Sequence, residues 1–240
     1  MMDSQKRDSA FSTYLILAGM FIAALVACNL IFQKFFYWHP LGFLANDNPN
    51  SWANFQFQIS VGIIPYPVTF LITDLISEVF GRKKANQVVL AGLVSTVFVF
   101  LIVLVADLAP ATDFSPVTDE QFHGVFGRTG LAIGASMLAY LLAQFVDIRL
   151  FHFWKQLTKG KHLWLRNNFS TILSQLVDTT TVLVLLCGVG AIDWELFPLL
   201  LVNGFLFKVL VALIDTPFFY LVVYWARRKF KLKPGEEIQL

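Results

Sequence analysis

Six ionisable side chains interrupt long apolar runs of this sequence: Asp74, Glu78, Asp147, Asp178, Lys208 and Asp215. Asp74 and Glu78 stand four residues apart, so a helix puts them on one face. The segments "QFVD" (Gln144 to Asp147) and "QLVD" (Gln175 to Asp178) each place an amide and a carboxylate at i, i+3, again on a shared face. A carboxylate accepts two hydrogen bonds from neighbouring N–H groups, an amide donates and accepts, and an aromatic face stacks on a ring. Together with Asn29, Lys208 and 25 Phe, these groups suit a flat, polar, nitrogen-rich molecule such as a nucleobase.

Each candidate also has a plainer reading. Glu78 can bridge to Arg82 one turn on, and Asp147 can snorkel to Lys155 or pair with Arg149. Lys208 can pair with a carboxylate of the fifth or second apolar run. Asp178 is harder to dismiss: it lies nine residues beyond Phe169, roughly 13 Å along a helix, where a charge needs a buried partner or a wet cavity. An uncompensated charge near a bilayer centre costs at least ~2.5 to 3.5 kcal/mol on insertion scales. Gly19, Ala23 and Ala27 read as a close-packing face.

The elements that must position these residues are membrane helices. Of the 240 residues 57% are hydrophobic and only 14% charged, and the mean hydropathy is +0.65, far from a soluble balance. Six runs are long enough to span about 30 Å of hydrocarbon: Tyr14 to Phe36, Ile59 to Phe80, Val88 to Leu108, Leu131 to Phe151, Phe169 to Ile192 and Leu196 to Trp225. The expected architecture is an all-α, six-transmembrane-helix bundle forming one domain over residues 1–240. The first run is too long for the apolar core of a cleaved signal peptide. Nearly all of the 18 Lys and Arg cluster in the N-terminal tail, after runs two and four, and in the C-terminal tail. That bias predicts both termini on the cytoplasmic side. The opposite loops carry Asp47, Asp113, Asp119, Glu120, Asp193 and Glu195, with Arg128 at the foot of run four, and are expected to form structured caps. "PYP", Pro65 to Pro67, predicts a break or kink in run two, because neither proline can donate a backbone hydrogen bond. Pro217 predicts the same in run six. Broken helices at membrane depth line cavities.

Several function classes drop out. The net charge of +2 gives no basic field for nucleic acid. His39, His123, His152 and His162 fall in loops or at helix ends without i, i+3 or i, i+4 partners, so no metal site or other cofactor is expected. Cys28 and Cys187 sit in apolar runs and read as small core residues rather than a disulfide framework. No GxxxxGK[ST] loop is present to bind ATP. An enzyme is not expected, since no histidine lies deep in a run to serve a nucleophile; a two-aspartate enzyme would require Asp74 and Asp178 to face each other.

"TDLISEVFGRKKA", "AQFVD", "NNFSTILSQLVDT" and "FKVLVALIDTPFFY" resemble the bacterial queuosine precursor transporter family, the YhhQ-like proteins once labelled vitamin uptake transporters. Asn29 followed by Lys34 looks like its first motif. The resemblance extends over essentially all six runs. It implies a multi-pass protein of the bacterial inner membrane, similar in fold to the substrate-binding subunits of vitamin importers. The implied substrates are deazaguanine bases, the cyano and aminomethyl precursors of the tRNA nucleoside queuosine, or queuine itself, imported for salvage. Asp74, Gln144, Gln175, Asp178 and Lys208 match the family positions; Asn29, Glu78 and Asp147 complete the candidate set, with Glu78 the weakest match. The implied mechanism is secondary or facilitated import. Asp74 and Asp178 would grip the donor edge of the base, Gln144 and Gln175 would read its other polar atoms, and Lys208 would neutralise a carboxylate of the empty site. The alternative is a binding subunit that needs a separate ATP-driven module. The partners expected are the nucleobase and the lipid bilayer, and a homo-oligomer is compatible with either reading.

Overall fold

The computed structural model describes residues 4–44, 48, 56–127, 130–159, 161–190, 192–233 and 235–238. The chain runs α1 (Ser4–Ile31), β1 (Phe35–Trp38), β2 (Phe57–Ser60), α2 (Tyr66–Val79), α3 (Arg82–Asp107), α4 (Asp119–Phe126), α5 (Gly130–Leu157), α6 (Leu163–Gly188) and α7 (Phe197–Phe230). Helices dominate. The segments 5–31, 61–79, 82–107, 163–188 and 194–230 are long and apolar enough to cross a membrane. The protein is an α-helical, multi-pass membrane protein.

Its polarity is that of a chain dissolved in lipid. Leu90, Val94, Phe98, Leu101 and Val105 of α3 and Leu199, Leu206, Leu213 and Leu221 of α7 are exposed, whereas Asp74, Gln144, Asp147, Arg166 and Ser174 are buried. In water such an arrangement would be costly on both counts; in a bilayer the apolar exterior is solvated and the polar groups pair inside. The apolar core, including Phe21, Phe70, Ile76, Val88, Val89 and Ile148, joins α1, α2, α3 and α5. The most extensive helix pairing is α5 with α6, followed by α6 with α7.

The second expected span is interrupted where its prolines foretell. Val61–Ile63 form a 3₁₀ turn, and α2 begins only at Tyr66, with Pro65 as its N-cap and Pro67 inside its first turn. Proline is tolerated there because the N–H it lacks would have no helical acceptor. Pro217, by contrast, stays inside the continuous α7, so of the break or kink expected in that run a break does not occur. At 34 residues α7 is about 51 Å long at 1.5 Å per residue, more than a bilayer needs, and it must tilt or project.

The connection after α1 holds an unexpected feature. "FFYW" and "FQIS" pair as an antiparallel hairpin, with Phe35 opposite Ser60 and Trp38 opposite Phe57. The ends of the first two expected runs, Phe36 and Ile59, are therefore strand rather than helix. Short aromatic and β-branched runs satisfy helix and strand patterns alike, so periodicity alone does not separate them. The hairpin is tied to the turn that follows α1: Val61 N–H donates to Lys34 O at 2.7 Å and the Ser60 hydroxyl to Phe32 O. Gly62 is required at this contact, since a Cβ there would lie 2.7 Å from Cys28 O and 2.8 Å from Phe32 Cβ. Asp47 and Arg128 lie outside the described residues.

At the opposite end, Arg82, Lys83 and Lys84 form the first turn of α3 rather than a free turn. Gly81 precedes them at φ +83°, a left-handed conformation that favours glycine. α4 opens on a capping box between Thr118 and Gln121 and is joined to the end of α1 through Gln33, whose amide donates to Val125 O.

Candidate transport site

The site is organised by a polar stripe on α6. Asn167, Ser170, Thr171, Ser174, Gln175, Asp178 and Thr179 recur at helical spacing, and all are buried. Hydroxyls on the stripe return hydrogen bonds to their own helix, Ser170 to Asn167 O, Ser174 to Thr171 O and Thr179 to Gln175 O. This lets a polar face survive without water. The stripe faces α2, α5 and α7, which supply the remaining charged groups.

Asp178 meets Lys208 across the α6–α7 interface, Oδ2 to Nζ at 2.5 Å. The ammonium also donates to Thr179 Oγ1 at 3.1 Å and sits 4.6 Å from the Tyr66 ring centroid. Of the two partners foreseen for Lys208, it takes the one in the fifth run. Both members border a chamber of about 270 Å³, whose polar lining also includes Asn29, Gln58, Tyr140 and Thr179. Its aromatic wall is Phe32, Phe35, Tyr66 and Tyr140. Asn29 donates to Leu25 O at 2.9 Å, leaving its amide oxygen for other contacts.

Lys208 and Tyr66 also border a second, smaller pocket of about 20 Å³, with Asp74, Asn167, Thr171, Gln175 and Asp215 around it. That space suits about one water. Gln175 presents a buried carbonyl oxygen with no donor. Gln144 lines neither cavity; it is buried behind Tyr140, donating to the phenol oxygen at 2.8 Å. Thus Asn29, Asp178 and Lys208 share the chamber, and Asp74, Gln175 and Lys208 share the small pocket.

Asp147 and Glu78 belong to other constellations. Asp147 is 0% exposed and accepts from Ser174 at 2.9 Å; it reaches neither Lys155 nor Arg149, because it points into α6 rather than toward the helix end. Asp74 is its neighbour across α6, accepting from Thr171 one turn before Ser174. Glu78 does not bridge to Arg82. Its Oε1 holds Arg166 of α6 at 2.6 Å and Arg227 of α7 at 2.7 Å, and its Oε2 lies 3.7 Å from Lys155 of α5. Lys155 reaches on to Glu237 at 2.8 Å. One carboxylate on α2 thus ties three other helices together at the end where the termini lie. Asp74 and Asp178 are engaged with different partners and do not face each other as a catalytic pair.

Sequence reasoning missed Arg166, Tyr66, Tyr140, Asn167 and Thr171. The signal for Asn167 and Thr171 was present in "NNFSTILSQLVDT", where polar residues repeat every three or four positions inside an apolar run. Arg166 and the two tyrosines carried no comparable pattern.

Apolar groups turned outward, polar groups gathered around two adjoining cavities, and a span interrupted at their edge define a membrane transport protein. Residues 60–222 match the family described as "Putative vitamin uptake transporter", and the chain belongs to that family. It is 28% identical over 170 residues to the "Probable queuosine precursor transporter" of Bacillus subtilis (strain 168), covering 69% of this chain and 72% of that protein. It is 24% identical over 127 residues to the "Queuosine precursor transporter" of Escherichia coli (strain K12), covering 51% of this chain and 52% of the relative. No solved structure matches the chain. Family and relatives alike are transporters rather than enzymes.

Proposed function

We propose that the protein imports queuosine precursors, deazaguanine bases or queuine, across the bacterial inner membrane by secondary or facilitated transport. The observation that carries this reading is the Asp178–Lys208 pair set in the wall of an aromatic chamber, in a chain whose relatives are named queuosine precursor transporters. A guanine-type base offers adjacent N–H and NH₂ donors, which a carboxylate accepts as a bidentate pair, while its ring stacks on Tyr or Phe.

In this reading α5 provides the fourth of six spans, both termini are cytoplasmic, and residues 1–240 act as one transport domain. The base enters the chamber and draws Asp178 away from Lys208. Asn29 binds its remaining polar edge, and Asp74 and Gln175 receive it when the helices rock toward the small pocket. Gln144 fixes the Tyr140 hydroxyl. Glu78 and Asp147, which line neither cavity, are not part of the grip on the base.

Uptake of labelled precursor into cells unable to make it tests the reading: this gene should restore queuosine to their tRNA. Purified protein alone in liposomes should move the base. Movement only when an ATP-hydrolysing module is added would overturn the secondary mechanism.

A further inference from the structure

Asp74 of α2 and Asp147 of α5 are 1% and 0% exposed, and each is held by a hydroxyl of the same α6 turn, Thr171 and Ser174, so the two carboxyl groups are buried neighbours. Thr171 donates to Asp74 Oδ2 at 3.3 Å and Ser174 to Asp147 Oδ1 at 2.9 Å. The other two oxygens, Asp74 Oδ1 and Asp147 Oδ2, are buried and meet no donor at hydrogen-bonding geometry. Ser170 flanks Asp147 from the same stripe.

Nearby cations are committed elsewhere. On α2, Glu78 holds Arg166 of α6, Arg227 of α7 and Lys155 of α5. Lys208 of α7, across the small pocket, is bound to Asp178 of α6. His152 of α5 lies beside the Glu78 cluster, and Asp215 of α7 borders the pocket, adding a further carboxyl rather than a countercharge. Two carboxylates buried as neighbours, with no ion pair to either among the described residues, disfavour each other's charge, so a proton on one of them relieves the repulsion.

We propose that Asp74 and Asp147 form a proton-binding site that couples import of the base to entry of a proton. The proposal rests on the transport reading above. Asp74 borders the pocket that adjoins the chamber through Lys208 and Tyr66, with Asp147 held beyond it by Ser174, so a proton and a base reach the site from the same side. With the proton shared, α2 and α5 close on each other as seen here. When α2 swings away, the proton leaves to the cytoplasmic water and both carboxylates ionise. Their repulsion then holds α2 and α5 apart until another proton arrives. One proton is taken up outside and released inside per base, and both carboxyl groups return to their starting state.

The test uses the whole protein in liposomes with a trapped pH dye. Adding base outside should acidify the lumen, and a gradient of one pH unit, acid outside, should raise accumulation about tenfold at one proton per base. In the Asp147→Asn protein the protons moved per base should fall to zero, a ratio that general damage to the fold does not change. Base movement by the unaltered protein with no acidification overturns the proton site while leaving the transport reading standing. If no base moves, the transport reading falls, and the site is then judged by infrared spectroscopy of the purified protein. The carbonyl stretch of a protonated carboxylic acid should be present, should shift in D₂O, and should vanish in the Asp74→Asn/Asp147→Asn protein. Absence of that band in the unaltered protein overturns the proposal.

Discussion

Lys208 Nζ sits 2.5 Å from Asp178 Oδ2 while facing the Tyr66 ring from 4.6 Å. A lysine held in this way is neutralised by its carboxylate yet still attached to the aromatic wall, so a ligand that displaces one contact leaves it the other. Removing one member of such a pair leaves a buried charge unmatched, which costs about 3–5 kcal/mol in comparable interiors. Lys208→Gln and Asp178→Asn should therefore each lower the melting temperature in detergent and abolish uptake. The double substitution should recover most of the melting temperature but none of the uptake. Recovery of both would reduce the pair to scaffolding.

Glu78 makes a different prediction. It closes the end of the bundle by drawing cations of α5, α6 and α7 onto α2, so it should act as a latch rather than as a ligand. Glu78→Gln should leave three cations facing one another and loosen that end. A cysteine placed at Ser77, buried beside the cluster, should then react faster with a membrane-impermeant thiol reagent applied from the side on which the cluster lies. Unchanged labelling in the substituted protein would show that the cluster does not close the path.

The contrast between these clusters explains how much was legible. Asp178, Lys208 and Asp74 were found because isolated charges in apolar runs demand partners, and composition alone reveals the demand. Glu78 was found for the same reason, but Arg82 was an available partner one turn away, and only the three-dimensional packing of α6 and α7 substitutes Arg166 and Arg227. The segments 5–31, 61–79, 82–107, 163–188 and 194–230 overlap five of the expected spans, because hydropathy sets their length. Their ends were not legible, since helices run on into polar segments such as Ser4 to Ser9 in α1 and Arg82 to Lys84 in α3. The break before α2 was legible because two prolines cannot donate. Pro217 does not interrupt α7, because a helix held on several sides absorbs one missing hydrogen bond.

The C-terminal segment is part of the structure at the latch. Ile238 is 3% exposed and its N–H donates to Val79 O at 2.7 Å, while Glu237 reaches Lys155. Gly81 makes room for this return: a Cβ there would lie 2.2 Å from the Glu237 carboxylate. Gly81→Ala should push the Glu237 carboxylate aside and off Lys155, and it adds about 1 kcal/mol or more for a side chain at positive φ, so the tail is held less firmly. Limited proteolysis should cut the variant near residue 235 much faster than the unaltered protein, with the rest of the bundle still resistant. Equal rates would show that the tail is held by something other than this contact.

Gly62 controls the opposite end. The 3₁₀ turn it occupies presses on the end of α1 so closely that Cys28 O and Phe32 Cβ would lie 2.7 and 2.8 Å from any Cβ. Backbone carbonyl and helix backbone do not yield as a flexible side-chain tip would, so Gly62→Val must push the broken span away from α1. Overpacking of this kind costs about 1–3 kcal/mol. Because Gly62, Cys28 and Phe32 all border the chamber with Tyr66 and Asp178, the displacement should alter the chamber itself. The expected result is a moderate fall in melting temperature accompanied by a disproportionate loss of affinity for the base, read as a raised KM for uptake. Gly19→Ala, at a position where a Cβ would meet nothing within 4 Å, serves as the matched control and should leave both unchanged. A Gly62→Val protein with unaltered KM would place the substrate path away from this chamber.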